Sequence, residues 1–113
     1  MSLFVSTMAF AYDAKIDGIY YNLNNENKTA EVTYGDIKYK GSITIPSGIL
    51  YDGDSYSVTS IDSYAFQDCN SLTSITIEAT TPPTLGRDDF SQGIAIYIPD
   101  NTLSAYKSAW GTD

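Results

Sequence analysis

The sequence has no histidine and only one cysteine among its 113 residues. Histidine is the side chain best suited to proton transfer near neutral pH and a common metal ligand, so its absence excludes Ser-His and Cys-His nucleophile pairs. The single cysteine, Cys69, excludes an intramolecular disulfide and a multi-cysteine zinc site. We therefore predict that the chain is not an enzyme, that it has no catalytic residues, and that it binds neither a metal ion nor another cofactor.

Basic residues are also scarce, because six lysines and arginines stand against fourteen acidic residues and the formal net charge is −8. This balance argues against nucleic acid and anionic membranes as partners, since both attract basic surfaces. The acidic residues are scattered along the chain, which indicates a solvated surface. The apolar stretch at residues 3–11 is too short to span a bilayer, which takes about 20 residues.

Residues 3–11 resemble the end of an export signal. The stretch is apolar and ends with Ala9 and Ala11 at the A-x-A spacing of a signal-peptidase site. We therefore predict that residues 1–11 are the remnant of an export signal, that the mature chain starts near Tyr12, and that the protein is secreted or displayed at the cell surface. The alternatives are an ordinary first β-strand or a disordered leader.

The rest of the chain has the composition of one folded, mainly β domain. Hydrophobic residues make up 42% of the sequence and aromatic residues 13%, and ten of the aromatics are tyrosine. β-favouring residues at 15–23 and 29–34 flank a polar turn and predict a first hairpin. A second hairpin is predicted from residues 49–51 and 56–58, with Gly53 in the turn between them.

An internal repeat is the strongest signal in the sequence. Three segments share an Ile-x-Ile pattern: residues 43–45, 75–77 and 96–98. Alternation in a strand places the two isoleucines of each segment on one face. Phe66 and Phe90 accompany the second and third segments and are 24 residues apart, within the 20–29 residues of a leucine-rich repeat. The pattern predicts three parallel strands stacked over a common apolar interior.

These elements together predict a mainly β fold: a short leucine-rich-repeat solenoid with N-terminal β-hairpins and a C-terminal capping helix. The helix is predicted at residues 100–110 from the spacing of Leu103, Tyr106 and Trp110. The predicted single domain spans residues 12–113, divided into an N-terminal hairpin cap (12–57), the repeats (58–99) and a C-terminal helical cap (100–113).

Residues 58–77, VTSIDSYAFQDCNSLTSITI, resemble the repeat of BspA-type leucine-rich-repeat proteins. Eight positions match that repeat at its spacing: Val58, Ile61, Ala65, Phe66, Cys69, Leu72, Ile75 and Ile77. The flanking segments are similar to those of the family as well, although this chain has only one full repeat. The resemblance implies a bacterial, secreted or surface-exposed protein that binds other proteins or serves in adhesion, with no catalytic residues.

The predicted stack also indicates where a partner would bind. Side-by-side strands place Thr44, Thr76 and Tyr97 in one outward row, with Ser42, Ser74, Glu78 and Ala95 beside them. We predict a partner-binding surface made of Thr44, Ser74, Thr76, Glu78 and Tyr97, and an extracellular protein of a host or bacterial surface as the partner. The alternative is a solvated sheet face with ordinary cross-strand pairing.

Two further interpretations stay open at this point. Six tyrosines in the N-terminal half could stack on sugar rings in a carbohydrate-binding domain, although tyrosines in hairpins more often pack across strands: Tyr20, Tyr21, Tyr34, Tyr39, Tyr51 and Tyr56. The chain could also be a structural module with no ligand of its own. The Asp52-Gly53-Asp54 segment resembles part of a calcium loop, but a plain turn explains it better because no spaced glutamate completes the pattern. The sequence does not decide the oligomeric state.

Overall fold

The computed structural model describes residues 12–86 and 94–110. The predicted export remnant at residues 1–11 and the second repeat marker, Phe90, lie outside the described residues. The described chain forms nine strands and one helix: β1 (Ala14–Ile16), β2 (Ile19–Asn24), β3 (Thr29–Thr33), β4 (Gly41–Ile45), β5 (Gly48–Tyr51), β6 (Asp54–Ile61), β7 (Leu72–Ile77), β8 (Thr84–Leu85), β9 (Ala95–Tyr97) and α1 (Leu103–Trp110).

Six of the strands form a mixed sheet. Strands β1, β2, β3, β6 and β5 are neighbours in that order, and β8 pairs with the second half of β6. The β1–β2, β2–β3 and β5–β6 pairs are antiparallel, whereas β3 and β8 run parallel to β6. The two predicted hairpins are therefore present, and they form the body of this sheet.

Two Asp-Gly pairs make the tight turns of the mixed sheet. Asp17 and Gly18 have φ angles of 51° and 84°, and Asp52 and Gly53 have φ angles of 53° and 84°. Positive φ at both central residues is the type I′ geometry, which suits two-residue hairpins because its twist matches that of the strands. The turn at Gly53 was predicted, but residues 15–23, predicted as one strand, are divided by the first turn into β1 and β2.

The three Ile-x-Ile segments form a second, separate sheet. Its strands are parallel and lie in the order β4, β7, β9. Ile43 is level with Ile75, and Ile75 with Ile96. Ile75 is fully buried, while Ile43 and Ile96 are partly buried against the core. The predicted side-by-side arrangement of these segments is confirmed.

The prediction of a leucine-rich-repeat solenoid is nevertheless wrong. Repeats of such a solenoid stack into one continuous array, but residues 58–77 contribute to two different sheets. Val58 and Ile61 lie on β6 in the mixed sheet, whereas Leu72, Ile75 and Ile77 lie on β7 in the parallel sheet. The N-terminal hairpins pair with β6 through β3 and β5, so they extend a sheet instead of capping a stack.

A single apolar core joins the two sheets. The turn between β6 and β7 contributes Phe66, which is fully buried and whose ring centroid lies 5.5 Å from that of Tyr39. All eight positions that match the repeat pattern are buried: Val58, Ile61, Ala65, Phe66, Cys69, Leu72, Ile75 and Ile77. These positions follow the apolar pattern because they line one shared interior, even though the strands belong to separate sheets.

The C-terminal helix is present and packs through its aromatic residues. The Tyr106 hydroxyl donates a hydrogen bond to the Ala79 carbonyl at 2.7 Å, and the Trp110 indole N–H donates one to the Pro83 carbonyl at 2.8 Å. These bonds fasten α1 to the segment that follows β7. Leu103, predicted on the same apolar face, is 59% exposed, because the helix contacts the domain through its later turns.

The burial of Phe66 gives a direct test of this core. We expect Phe66→Ala to lower the free energy of unfolding by ~3–5 kcal/mol, because it removes a fully buried ring and leaves a cavity. Urea unfolding followed by far-UV circular dichroism measures this change. Tyr64→Ala is the matched control, since the Tyr64 ring is exposed on the same turn. A loss below ~1 kcal/mol for Phe66→Ala would contradict the assigned burial.

Candidate functional site

The outward face of the parallel sheet carries the predicted row of side chains. Thr44 lies opposite Thr76, and Thr76 lies opposite Tyr97. Thr44 is exposed, Thr76 is half-buried because it is on the central strand, and Tyr97 at the sheet edge is 57% exposed. The row therefore presents one large aromatic ring beside two β-branched hydroxyl side chains.

The other predicted residues lie on the same face. Ser74 is level with Ser42 and Ala95, and the Ser74 hydroxyl donates a hydrogen bond to the Ser42 hydroxyl at 2.7 Å. Glu78 follows β7 directly, is exposed, and donates its backbone N–H to the Ile45 carbonyl at 3.0 Å. The structure thus brings together all five residues predicted from the sequence: Thr44, Ser74, Thr76, Glu78 and Tyr97.

A groove that the sequence did not predict adjoins this face. It has a volume of about 830 Å³ and runs along the β4 side of the parallel sheet. Its walls are residues 15–21 of the β1–β2 hairpin, the connection at residues 37–40, and residues 48–50 of β5. Ser42, Thr44 and Glu78 also line it, so the groove and the outward sheet face are continuous.

A buried tyrosine fixes the wall formed by residues 37–40. The Tyr39 hydroxyl donates a hydrogen bond to the Thr33 carbonyl at 2.5 Å and accepts one from the Tyr20 N–H at 3.0 Å. The Tyr20 hydroxyl in turn accepts the Ile37 N–H at 3.2 Å. Desolvation raises the pKa of Tyr39 well above its usual range, so its hydroxyl stays protonated and able to donate. Burying Tyr39 directs its neighbours Lys38 and Lys40 outward.

The groove concentrates positive charge on a negative protein. Among the described residues, its lining includes Lys15, Lys38 and Lys40, three of the six basic residues of the chain, and two acidic residues, Asp17 and Glu78. In the part of the chain that the structure describes, none of these three lysines forms an ion pair with a carboxylate. Lys15 lies 5.2 Å from the centroid of the Tyr20 ring, and the Lys38 ammonium donates to the Gln67 carbonyl.

One edge of β4, which lines the groove, has no partner among the described strands. Among the described strands, β4 pairs only with β7. The Ile45 carbonyl accepts from Glu78 just beyond β7, so the polar groups of Ile45 point toward that strand. Backbone polar groups alternate in direction along a parallel strand, with N–H and C=O of one residue on the same side. The N–H and C=O of Thr44 therefore point away from β7, toward the groove.

No protein-family model, curated protein or solved structure matches this chain. The resemblance to the BspA-type repeat therefore stays a resemblance of sequence pattern.

The tyrosines proposed for sugar stacking are mostly inside the protein. Four of the six are buried: Tyr20, Tyr21, Tyr39 and Tyr56. Tyr34 and Tyr51 are each 39% exposed. Burial takes these four rings out of reach of a sugar and fits the alternative of packing across strands.

Two other chemical features have structural explanations. Cys69 is buried, and desolvation raises the pKa of its thiol, so it stays protonated and unreactive near neutral pH. Asp52 forms the β5–β6 turn, and the Asp54 carboxylate pairs with the Lys28 ammonium at 3.1 Å. Within residues 12–86 and 94–110, no three potential metal ligands come together, and no helix has the length and apolar character to cross a membrane.

The hydroxyl of Tyr39 gives a test of how the groove wall is held. We expect Tyr39→Phe to lower the free energy of unfolding by about 1–3 kcal/mol, because the Tyr20 N–H and the Thr33 carbonyl lose a buried partner. Chemical unfolding in urea measures the loss. Tyr64→Phe, which alters an exposed ring, should have no measurable effect. Equal stability of the two variants would contradict the bridging role of Tyr39.

Proposed function

We propose that this chain is a secreted or cell-surface, non-enzymatic protein-binding module. Its partner is an extracellular protein on a host or bacterial surface, bound by the outward face of the parallel sheet. The observation that supports this proposal best is the registered row of Thr44, Thr76 and Tyr97, in which Thr44 and Tyr97 are exposed.

Tyr97 is the centre of the proposed contact. A tyrosine offers a large contact area at a low cost in conformational entropy, and tyrosine is enriched where proteins bind one another. Its ring is 57% exposed. Tyr97 lies on β9, and Thr76 beside it lies on β7, which is paired with a strand on each side. A ring on a hydrogen-bonded strand has less backbone freedom to lose on binding than a ring on a loop, which lowers the ordering cost.

The chemistry of the chain supports a binding role over a catalytic one. The sequence contains no histidine, and its only thiol is buried with a raised pKa. Export is supported by the A-x-A spacing at Ala9 and Ala11 and by the resemblance of residues 58–77 to repeats of BspA-type surface proteins.

Substitution of Tyr97 tests the proposal. A panel of purified host extracellular proteins and bacterial surface proteins is passed over the immobilised chain, and binding is measured by surface plasmon resonance. For a protein that binds, we expect Tyr97→Ala to weaken the affinity about tenfold or more, as truncating an interface anchor does. The thermal midpoint should stay unchanged because the ring is exposed.

Tyr64→Ala is the matched control, since it removes an equally exposed tyrosine from the β6–β7 turn. It should leave the affinity unchanged. Failure of every protein in the panel to bind, or equal weakening by both substitutions, would count against the sheet face as the binding surface.

A further inference from the structure

The outward sheet face is too small to hold a partner by itself. Strands lie about 4.8 Å apart and rise about 3.3 Å per residue, so three strands and two levels of side chains cover roughly 14 Å by 13 Å. Stable interfaces bury about 800 Å² on each partner. A partner bound over Tyr97 must therefore make further contacts, and the groove continuous with this face is the adjoining surface.

We propose that the groove binds an extended, acidic segment of the protein partner, which adds as a strand to the open edge of β4. This inference rests on the proposed protein-binding function and specifies the chemistry of the partner. Peptide binding by strand addition takes its affinity from main-chain hydrogen bonds and its specificity from side-chain pockets.

The backbone of β4 supplies the hydrogen-bonding groups. The N–H and C=O of Thr44 point into the groove, and alternation gives the same direction to those of Ser42. The irregularity at Gly41 and the proline at position 46 limit the available edge to about four residues. An edge this short admits one peptide segment without offering a long template for aggregation.

Exposed apolar side chains supply the pockets. Ile37 is 61% exposed and Leu50 is 68% exposed, and both line the groove. They are among the most exposed large aliphatic side chains of the described residues. Alternate apolar residues of an added strand would cover both side chains.

Charge selects an acidic occupant. Among the described residues, the groove lining has three lysines and two acidic residues, a net charge of +1 on a protein with net charge −8. Lys40 precedes β4 directly, Lys15 lies on the β1–β2 hairpin, and Lys38 lies on the connection at residues 37–40. The Lys38 ammonium is engaged by the Gln67 carbonyl, so carboxylates of an added strand would be attracted mainly to Lys40 and Lys15.

A capped, fluorescein-labelled heptapeptide of alternating glutamate and valine is the probe. Fluorescence anisotropy should show saturable binding to the full chain, weakening as salt rises from about 50 mM to about 200 mM because the charges are screened. A peptide of alternating lysine and valine should not bind. We expect Lys40→Glu to lower the affinity for the glutamate peptide about fivefold. The control variant, Lys107→Glu on α1, lies outside the groove and should leave that affinity unchanged.

A second pair of variants tests strand addition itself. Thr44→Pro removes the N–H that points into the groove and leaves the hydrogen bonds to β7 in place. It should therefore lower the affinity for the glutamate peptide about tenfold. Thr44→Val keeps the N–H and is the matched comparison, so it should bind the peptide more tightly than Thr44→Pro does. If Thr44→Pro does not fold, the comparison of Lys40→Glu with Lys107→Glu still decides the proposal.

Three results would overturn this inference: no saturable binding of the glutamate peptide, equal binding of the lysine peptide, or equal affinity for the Thr44 proline and valine variants. Sedimentation of the unliganded chain as a dimer that Thr44→Pro dissociates would assign the edge to a second copy and would overturn it too. Tyr97→Ala should keep the full peptide affinity, so the sheet-face proposal and the groove proposal can fail separately.

Discussion

The register of β4, β7 and β9 is the constraint on which the candidate site depends. A shift of one residue between parallel strands would turn the isoleucines to solvent and the threonines inward. Burial of Ile45, Ile75 and Ile77, each nearly inaccessible to solvent, opposes this shift. Each such side chain contributes about 1.5–3 kcal/mol on burial. The same force that fills the core therefore places Thr44, Thr76 and Tyr97 outside in one row.

The groove follows from the path of the chain between the two sheets. The chain leaves the mixed sheet after β3, adds β4 to the parallel sheet, and returns to the mixed sheet at β5. One edge of β4 is thereby paired with β7, while its other edge faces the hairpin of the mixed sheet across the groove. The Tyr39 hydroxyl is hydrogen-bonded to Tyr20 and Thr33 and thereby holds the segment that leads into β4. Its neighbours Lys38 and Lys40 are exposed and line the groove.

Local patterns predicted the parts of this structure that depend on neighbouring residues. The Ile-x-Ile alternation predicted the strands of the parallel sheet and the outward row that contains Tyr97. The Asp-Gly turn signal also occurs at Asp17, where the sequence analysis predicted a continuous strand instead. The assignment of strands to sheets depends on contacts between distant segments, such as the parallel pairing of β3 with β6. A periodic pattern cannot distinguish one stack from two sheets over a shared core, which is why the solenoid prediction failed. The sequence did not predict the groove because its lysines come from separate segments of the chain. They form one positively charged surface only when the fold places them beside the open edge of β4.

Hydrogen exchange of individual backbone amides, followed by NMR, tests the arrangement of the parallel sheet most directly. Slow exchange is expected for Thr76, on the strand paired on both sides, and for Ile45, whose polar groups face β7. The amide of Thr44, next to Ile45 and pointing into the groove, should exchange much faster. Protection of Thr44 equal to that of Thr76 in the monomer would contradict the open edge of β4.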